Sequence, residues 1–282
     1  MEQIGRYRLD AVHGVGAFAT VWRGHDPDLD APVAVKVLAD NWAHHADVRE
    51  RFLEEARLLR RIQDPRVVRV HDVGVEDDRP YFVMDFVPGG TVGDKVGALD
   101  AEGARSLSIA SCLAVQALHD HDVLHRDVKP SNLLLDDSGN VLVSDLGSAK
   151  RLAEASGVTV TTGTPAYMAP EQAYGRSLDA RTDVYALGVL AFQLLTGRLP
   201  FDGPLGRTDS DRVDSTGAGT HVDRAVASAL AVSPDHRPTS ASAFADALAD
   251  ESDEAATVPG WFVAVLMLCG FASAAAATWH FA

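Results

Sequence analysis

The octapeptide HRDVKPSN, His125 to Asn132, is the stretch from which the fold of this chain is read. It sets a carboxylate (Asp127), an ammonium (Lys129) and an amide (Asn132) on one short loop after an apolar segment. Thirteen residues beyond Asn132, at the end of a second apolar strand, stands Asp145 in the tripeptide Asp145-Leu146-Gly147. The intervening LLLDDSGNVLV reads as a β-hairpin, two apolar runs joined by an Asp137-Ser138-Gly139-Asn140 turn. An antiparallel hairpin returns its second strand to where the first began. Asn132 and Asp145 are therefore expected side by side as two oxygen ligands for one hard cation, with Asp127 facing whatever the cation holds. A base, an ammonium and divalent-metal ligands on one spot are the equipment of phosphoryl transfer.

Further motifs follow in a fixed order around this loop. A glycine turn lies at Gly14-Val15-Gly16, and Val33-Ala34-Val35-Lys36 stands on a β-branched strand. After HRDVKPSN and Asp145-Leu146-Gly147 come GTPAYMAPE (Gly163 to Glu171), DVYALG (Asp183 to Gly188) and His236-Arg237-Pro238. With this series, residues 5–250 resemble the eukaryotic-like (Hanks-type) serine/threonine protein kinases, most closely their bacterial and archaeal branch. The resemblance implies an α+β, bilobal fold. A small β-rich lobe is expected over 1–84 and a larger helical lobe over 85–249.

Read from the N-terminus, 7–13, 20–25 and 32–38 are strands, the first two flanking the glycine turn. In the family that turn covers the ATP phosphates with backbone N–H groups of residues such as Gly14 and Gly16. The pattern's third glycine is Ala19 here. Lys36 sits in a run too apolar for a free ammonium, so it needs a buried partner. The helix expected over 47–62 supplies one: Phe52, Leu59 and Ile62 mark its apolar stripe, and Glu55 falls on that stripe while Glu54 does not. A carboxylate there is costly unless paired, and the resemblance pairs Glu55 with Lys36. The strand at 81–84 leads to Asp85-Phe86-Val87-Pro88-Gly89-Gly90, which resembles the hinge between lobes. The resemblance assigns adenine binding to backbone groups at Asp85 and Val87, with Val21, Ala34 and Leu134 as nucleotide-binding residues and Met84 behind the pocket. The helix after the hinge is expected to be short.

In the catalytic loop the resemblance makes Asp127 the acceptor of the substrate hydroxyl proton. Lys129 neutralises the transferring phosphate and marks serine/threonine specificity, while Asn132 and Asp145 hold Mg2+ beside ATP. Leu146 replaces the family's more frequent phenylalanine and keeps an apolar role. Arg126 is expected to bind a phosphate on the segment 148–164, where Thr159, Thr161 and Thr162 are candidates for self-phosphorylation, through a transient dimer. Ser156 lies in the same segment, and Thr164 is excluded because it resembles the threonine that contacts the base. The resemblance joins Glu171 to Arg237 as a buried ion pair. Asp183 starts an apolar, central helix over 184–195 and is expected to take orphan backbone N–H groups at its N-terminus, and the resemblance has it anchor the catalytic loop. Residues 202–221, with four glycines, four aspartates and no Phe, Tyr or Trp, read as a flexible loop where the family has a longer docking insertion.

Composition sets independent limits. A chain of 282 residues buries a full core. Cys112 and Cys269 lie in different regions and imply no disulfide framework. The polar start MEQIGRYRLD carries no apolar leader. A net charge of −15, from 25 basic and 40 acidic residues, argues against nucleic acid as a partner. Only four lysines occur, and Asp far outnumbers Glu. This balance resembles proteins of salt-loving archaea, in which ions screen the self-repulsion of an acidic surface; a GC-rich genome encoding an acidic protein is the alternative.

The last part of the chain changes character. No Lys, Arg, Asp or Glu follows Glu254, and 261–277 is apolar apart from Gly270 and Ser273. Residues 258–281 are long enough to cross a hydrocarbon core of ~30 Å at ~1.5 Å per residue, with Trp261 and Trp279 at its borders. A single transmembrane helix after an acidic linker, 250–257, is expected. It would bring lipid contact, a place at the cell membrane, a cytoplasmic kinase domain and no sensor domain beyond. Two other readings stand beside the active kinase. A nucleotide-binding pseudokinase scaffold would lack one of Lys36, Glu55, Asp127, Asn132 and Asp145, and all are present. A small-molecule phosphotransferase of the aminoglycoside-kinase type would lack the segment 163–171.

Overall fold

Short β-branched segments pair with their sequence neighbours at every step but one in the first third of the chain, which keeps that lobe's topology simple. The computed structural model describes residues 3–146, 165–201, 203, 207–208 and 211–250. Strands β1 (Gln3–Ile4), β2 (Tyr7–Val15), β3 (Ala19–Asp26), β4 (Ala31–Leu38), β5 (Val70–Glu76) and β6 (Arg79–Asp85) form one six-stranded antiparallel sheet, ordered β1-β2-β3-β4-β6-β5. Between β4 and β5 lie α1 (Asp40–Ala43) and α2 (Ala46–Arg61). Helix α2 buries Val48, Phe52, Glu55, Ala56 and Leu59 on one face, and Phe52 meets Phe82 of β6 at a ring separation of 4.9 Å. It ends one residue earlier than its apolar stripe suggests, because Ile62 is extended (φ −80°, ψ 122°) yet still buried.

After β6 the linker holds only a 3-10 turn at Val92–Lys95, in line with the short helix expected there. The helical lobe then comprises α3 (Ala101–His119), the hairpin β7 (Leu133–Leu135) and β8 (Val141–Val143), α4 (Pro170–Ala173), α5 (Ala180–Thr196), α6 (Thr220–Ala229) and α7 (Ala241–Ala249). Asp100 caps α3 by accepting the Gly103 amide at 2.8 Å. The hairpin turn is organised by Asp136, one residue before the expected start, whose carboxylate accepts the amides of Ser138 and Asn140.

Helix α5 is buried nearly all round, as an apolar helix without a polar face must be. A Cβ at Gly188 would lie 2.9 Å from the Ala229 Cβ, so the bare Cα is what lets α5 and α6 touch. One continuous apolar cluster runs from Phe52 and Leu59 through Val143 and Leu146 to Leu118 and Leu190. The two lobes therefore share a core behind the site.

Two expectations need correction. Asp183 does not start α5: Asp179 is the cap, accepting the Arg181 amide at 2.9 Å, and Asp183 lies one turn inside. Capping needs a carboxylate before the first helical residue, which leaves Asp183 available to another segment. The described residues of the stretch 202–221 are also less loose than its composition suggests. Thr220 and His221 begin α6, and Asp223 accepts from Ser215 Oγ and from the Thr216 amide and hydroxyl. Arg207 lies 3.4 Å over the Phe201 ring and donates to Tyr185 Oη and the Leu230 carbonyl, each at 3.0 Å. One inserted arginine thus ties the stretch to the lobe core. Among the described residues no helix is long and apolar enough to cross a membrane. The expected span 258–281, and the linker beyond Asp250, lie outside the described residues.

Candidate active site

Strand β4 carries Lys36 opposite Val21 of β3 and Phe82 of β6. Its Nζ donates to Glu55 Oε1 at 2.8 Å and to Asp145 Oδ1 at 2.6 Å. Glu54 instead faces solvent beside Arg51. Burial by itself would lower the Lys36 pKa, but the Asp145 and Glu55 carboxylates outweigh it and hold the ammonium above its ordinary value. Burial pushes the Glu55 carboxyl up to about 7 against the pull of Lys36. Burial acts on Asp145 in the same sense, yet Lys36, on its shorter bond, holds that carboxyl below its ordinary value. One ammonium shared by a buried and a half-buried carboxylate leaves Glu55 as the group that takes up a proton first.

The catalytic loop is held from beneath by Asp183. Its carboxylate accepts the amides of His125 at 2.8 Å and Arg126 at 2.7 Å, and the His119 Nε2–H at 2.8 Å. Arg126 and Asp145 adopt left-handed backbone conformations (φ 65° and 55°), which cost energy for residues other than glycine. Asp183 and Gln172, whose Nε2 donates to the Arg126 carbonyl at 2.8 Å, hold the first in place. Lys36 holds the second. His125 joins loop and hairpin, accepting the Asp127 amide on Nδ1 at 3.3 Å and donating from Nε2 to the Ser144 carbonyl at 3.1 Å.

On the open side of this frame, Lys129 Nζ lies 2.7 Å from Asp127 Oδ2. Asn132 Nδ2 donates to the Asp127 carbonyl at 2.9 Å and to Asp127 Oδ2 at 3.2 Å, which turns Asn132 Oδ1 the other way. The hairpin register pairs Leu133 with Val143, and the Ser144 amide donates to the Asn132 carbonyl at 2.9 Å. A cavity of about 440 Å³ is lined by Gly14, Gly16, Val21, Lys36, Glu55, Asp127, Lys129, Asn132 and Asp145, and also by Phe18, Phe52, Ser131 and Leu146. Ala34, Asp85, Val87 and Leu134 do not line it. They lie on β4, at the end of β6, in the linker and on β7, with Ala34 paired to Met84 and Leu134 bridged to Thr91. The cavity thus lies at the charged groups, and those four residues lie toward the linker.

The donor set suits a divalent cation of the Mg2+ kind. Such an ion takes one or two protein oxygens, with waters and phosphate supplying the rest. Among the described residues no cluster of three or more His, Cys, Asp or Glu forms a protein-only cage, whereas Asn132 and Asp145 line one cavity.

Sequence reasoning missed the support under the glycine turn. The Gly16 amide closes the turn on the Ala19 carbonyl at 2.9 Å. Trp42 Nε1 donates to the Ala17 carbonyl at 2.9 Å, and its ring lies 5.0 Å from that of Phe18. Ala19 opens β3 opposite Leu38, its methyl buried with Trp42 in the core. A tryptophan just after the strand that carries Lys36 was the available signal. His119 and Gln172 had none, since both act through contacts distant in sequence.

Behind the loop, Arg237 donates to both Glu171 oxygens at 2.7 and 2.8 Å, with neither side chain more than 4% exposed. Thr182 Oγ1 adds a third bond to Glu171 at 3.0 Å. Arg126 Nε is buried without a hydrogen-bond partner among the described residues. Gly147, Ser156, Thr159, Thr161, Thr162 and Thr164 lie outside the described residues.

Residues 7–248 match the protein kinase domain family, and the chain belongs to that family. It is 38% identical over 207 residues to the serine/threonine-protein kinase PrkC of Bacillus subtilis, covering 71% of this chain and 32% of that one. It is 43% identical over 218 residues to the DNA damage-responsive serine/threonine-protein kinase RqkA of Deinococcus radiodurans, covering 74% of this chain and 31% of that one. The chain thus spans 31–32% of the length of these two curated relatives. Among solved structures, the kinase domain of PknI from Mycobacterium tuberculosis superposes with a TM-score of 0.70 at 28% identity, covering 88% of this chain and 96% of that one.

Proposed function

We propose that this chain is an active serine/threonine protein kinase that transfers the γ-phosphoryl group of ATP to hydroxyls of protein substrates. The observation that carries the reading is the joining of Lys36 to both Glu55 and Asp145 on a cavity that also holds Asp127, Lys129 and Asn132. The substrate oxygen attacks the γ-phosphorus and the bond to the β-phosphate oxygen breaks. ADP leaves with that electron pair, and the hydroxyl proton passes to the Asp127 carboxylate. Lys129 stands beside Asp127 to offset charge on the transferring group, and Lys36 orients the other phosphates. Asn132 and Asp145 would hold Mg2+, which when bound offsets charge on the phosphate oxygens. Backbone groups at Asp85 and Val87, with Val21, Ala34 and Leu134, would hold the base. Lys129, two residues after Asp127, and the names of the curated relatives support Ser/Thr specificity.

On this reading the chain phosphorylates itself on Thr159, Thr161 or Thr162 in a transient dimer, and Arg126 receives the phosphate. The apolar run 258–281 anchors the kinase to the cytoplasmic face of the cell membrane. Anchoring raises the effective concentration of substrates on the same surface. The test uses the full chain with γ-labelled ATP and Mg2+, beside an Asp127→Asn variant. Label on threonine or serine that vanishes in the variant supports the reading; equal label in both sinks it. Mass spectrometry locates the modified threonine. Flotation with lipid vesicles, lost in a chain ending at Asp250, tests the anchor.

A further inference from the structure

A single irregularity in the β5·β6 ladder lies next to the linker. Val70 pairs with Met84 and Asp72 with Val83, so His71 is the extra residue of a β-bulge. Bulges re-aim side chains and recur beside active sites. This one brings His71 Nε2 to 2.6 Å from Asp85 Oδ1. The Arg69 amide donates to Asp85 Oδ2 at 3.2 Å, and the Asp85 amide donates back to the Arg69 carbonyl at 3.0 Å. Arg69, just before β5, and His71, its second residue, thus hold Asp85 at its backbone and at both carboxylate oxygens.

The position matters because β6 ends at Asp85. Past that point the ladder no longer fixes the peptide planes. The next backbone hydrogen bond along the described linker runs from the Gly89 amide to the Leu135 carbonyl at 2.9 Å. Between the two, Phe86 is steadied by the His13 ring at 5.5 Å and the Arg23 guanidinium at 5.2 Å, contacts that fix a side chain and leave the peptide planes free to tilt. Hydrogen bonds weaken steeply with misalignment, so a base that meets this backbone needs the planes set beforehand.

We propose that His71 is a positioning residue for the nucleotide base: by gripping the Asp85 carboxylate it sets the peptide groups of 85–87 in the orientation that binds adenine. This rests on the assignment of the linker as the base-binding edge. His71 touches no nucleotide on this account, and its effect is confined to the base end of the cleft. Affinity for the triphosphate end, held by Lys36 and the glycine turn, is independent of it.

The experiment compares the full chain with His71→Phe, which keeps a ring but has no donor, and His71→Gln, which keeps a donor. ATP and inorganic tripolyphosphate each compete against a fluorescent ATP analogue, with KM, kcat and Tm measured alongside. The expected result for His71→Phe is a rise of about three- to tenfold in the Kd and KM for ATP, the scale of one half-exposed charge-assisted contact. Its kcat and tripolyphosphate affinity stay at the wild-type level, and His71→Gln restores ATP binding. Unchanged ATP affinity in His71→Phe overturns the proposal. So does a parallel loss of ATP affinity, tripolyphosphate affinity and Tm, which would mark a merely structural contact. A wild-type chain that binds tripolyphosphate as tightly as ATP overturns the base-edge assignment itself, and the proposal with it.

Discussion

Replacing Glu55 by Gln tests the charge arrangement at the centre of the site. The substitution keeps size and an acceptor but leaves Lys36 with a single carboxylate, Asp145, at 2.6 Å. The ammonium then shifts toward the residue that would otherwise meet the metal. A hydrogen bond to a charged group contributes about 1.5–3 kcal/mol, so kcat/KM for ATP should fall roughly ten- to hundredfold at pH 8. The loss depends on pH in a defined direction. Burial pushes the Glu55 carboxyl up to about 7, so the wild type itself loses the Glu55 charge as pH falls through that value. The wild-type to Glu55→Gln ratio should be largest at pH 8 and fall by up to about tenfold toward pH 6. Effects of the substrate's own titration cancel in the ratio. The sign for stability runs the other way: a carboxyl whose folded pKa lies above its ordinary value of 4.5 binds its proton more tightly when folded. Its contribution favours the fold at low pH and is lost as pH rises through about 7. Steady-state kinetics of both proteins from pH 6 to 8 decide the matter. A ratio that stays flat over that range, or a loss below twofold at pH 8, would refute the reasoning.

Removing the other buried pair should unfold rather than inactivate. Arg237→Met orphans Glu171 and costs about 3–5 kcal/mol, a fall in Tm of roughly 6–20 °C by thermal denaturation. Trp42→Phe removes the bond to the Ala17 carbonyl and part of the buried ring that packs on Phe18; the KM for ATP should rise about two- to tenfold with kcat unchanged, measured by initial rates. The acidic surface predicts that Tm rises between 0.1 and 2 M KCl, because added ions screen like charges within a shorter distance. A Tm independent of KCl would remove the salt-loving reading and leave the genomic one.

Much of the site was legible because its chemistry is local. Asp127, Lys129 and Asn132 sit within six residues, and a tight hairpin carries Asp145 back to them through period-two strands. Glu55 was legible for another reason: a carboxylate on the apolar stripe of a helix demands a partner, and the apolar strand around Lys36 demands one too. Helix and strand positions followed from the same periodicities. What failed were inferences from composition or position alone. Polar and glycine content suggested a loose stretch at 202–221, but among its described residues Arg207 inserts between Phe201, Tyr185 and Leu230, and Thr220 begins α6. The place of Asp183 near a helix start suggested a cap, but Asp179 took that role.

The sequence by itself therefore determined the fold family, the order of the elements and the identity of the charged groups, since these rest on short-range spacing and hydrophobic period. Only the tertiary structure decided how the groups share their charges. Lys36 divides between Glu55 and Asp145, Asp183 serves a loop 57–58 residues away, and His71 turns out of its strand onto the last residue before the linker. Such choices depend on burial and on contacts between distant segments, which no local pattern encodes.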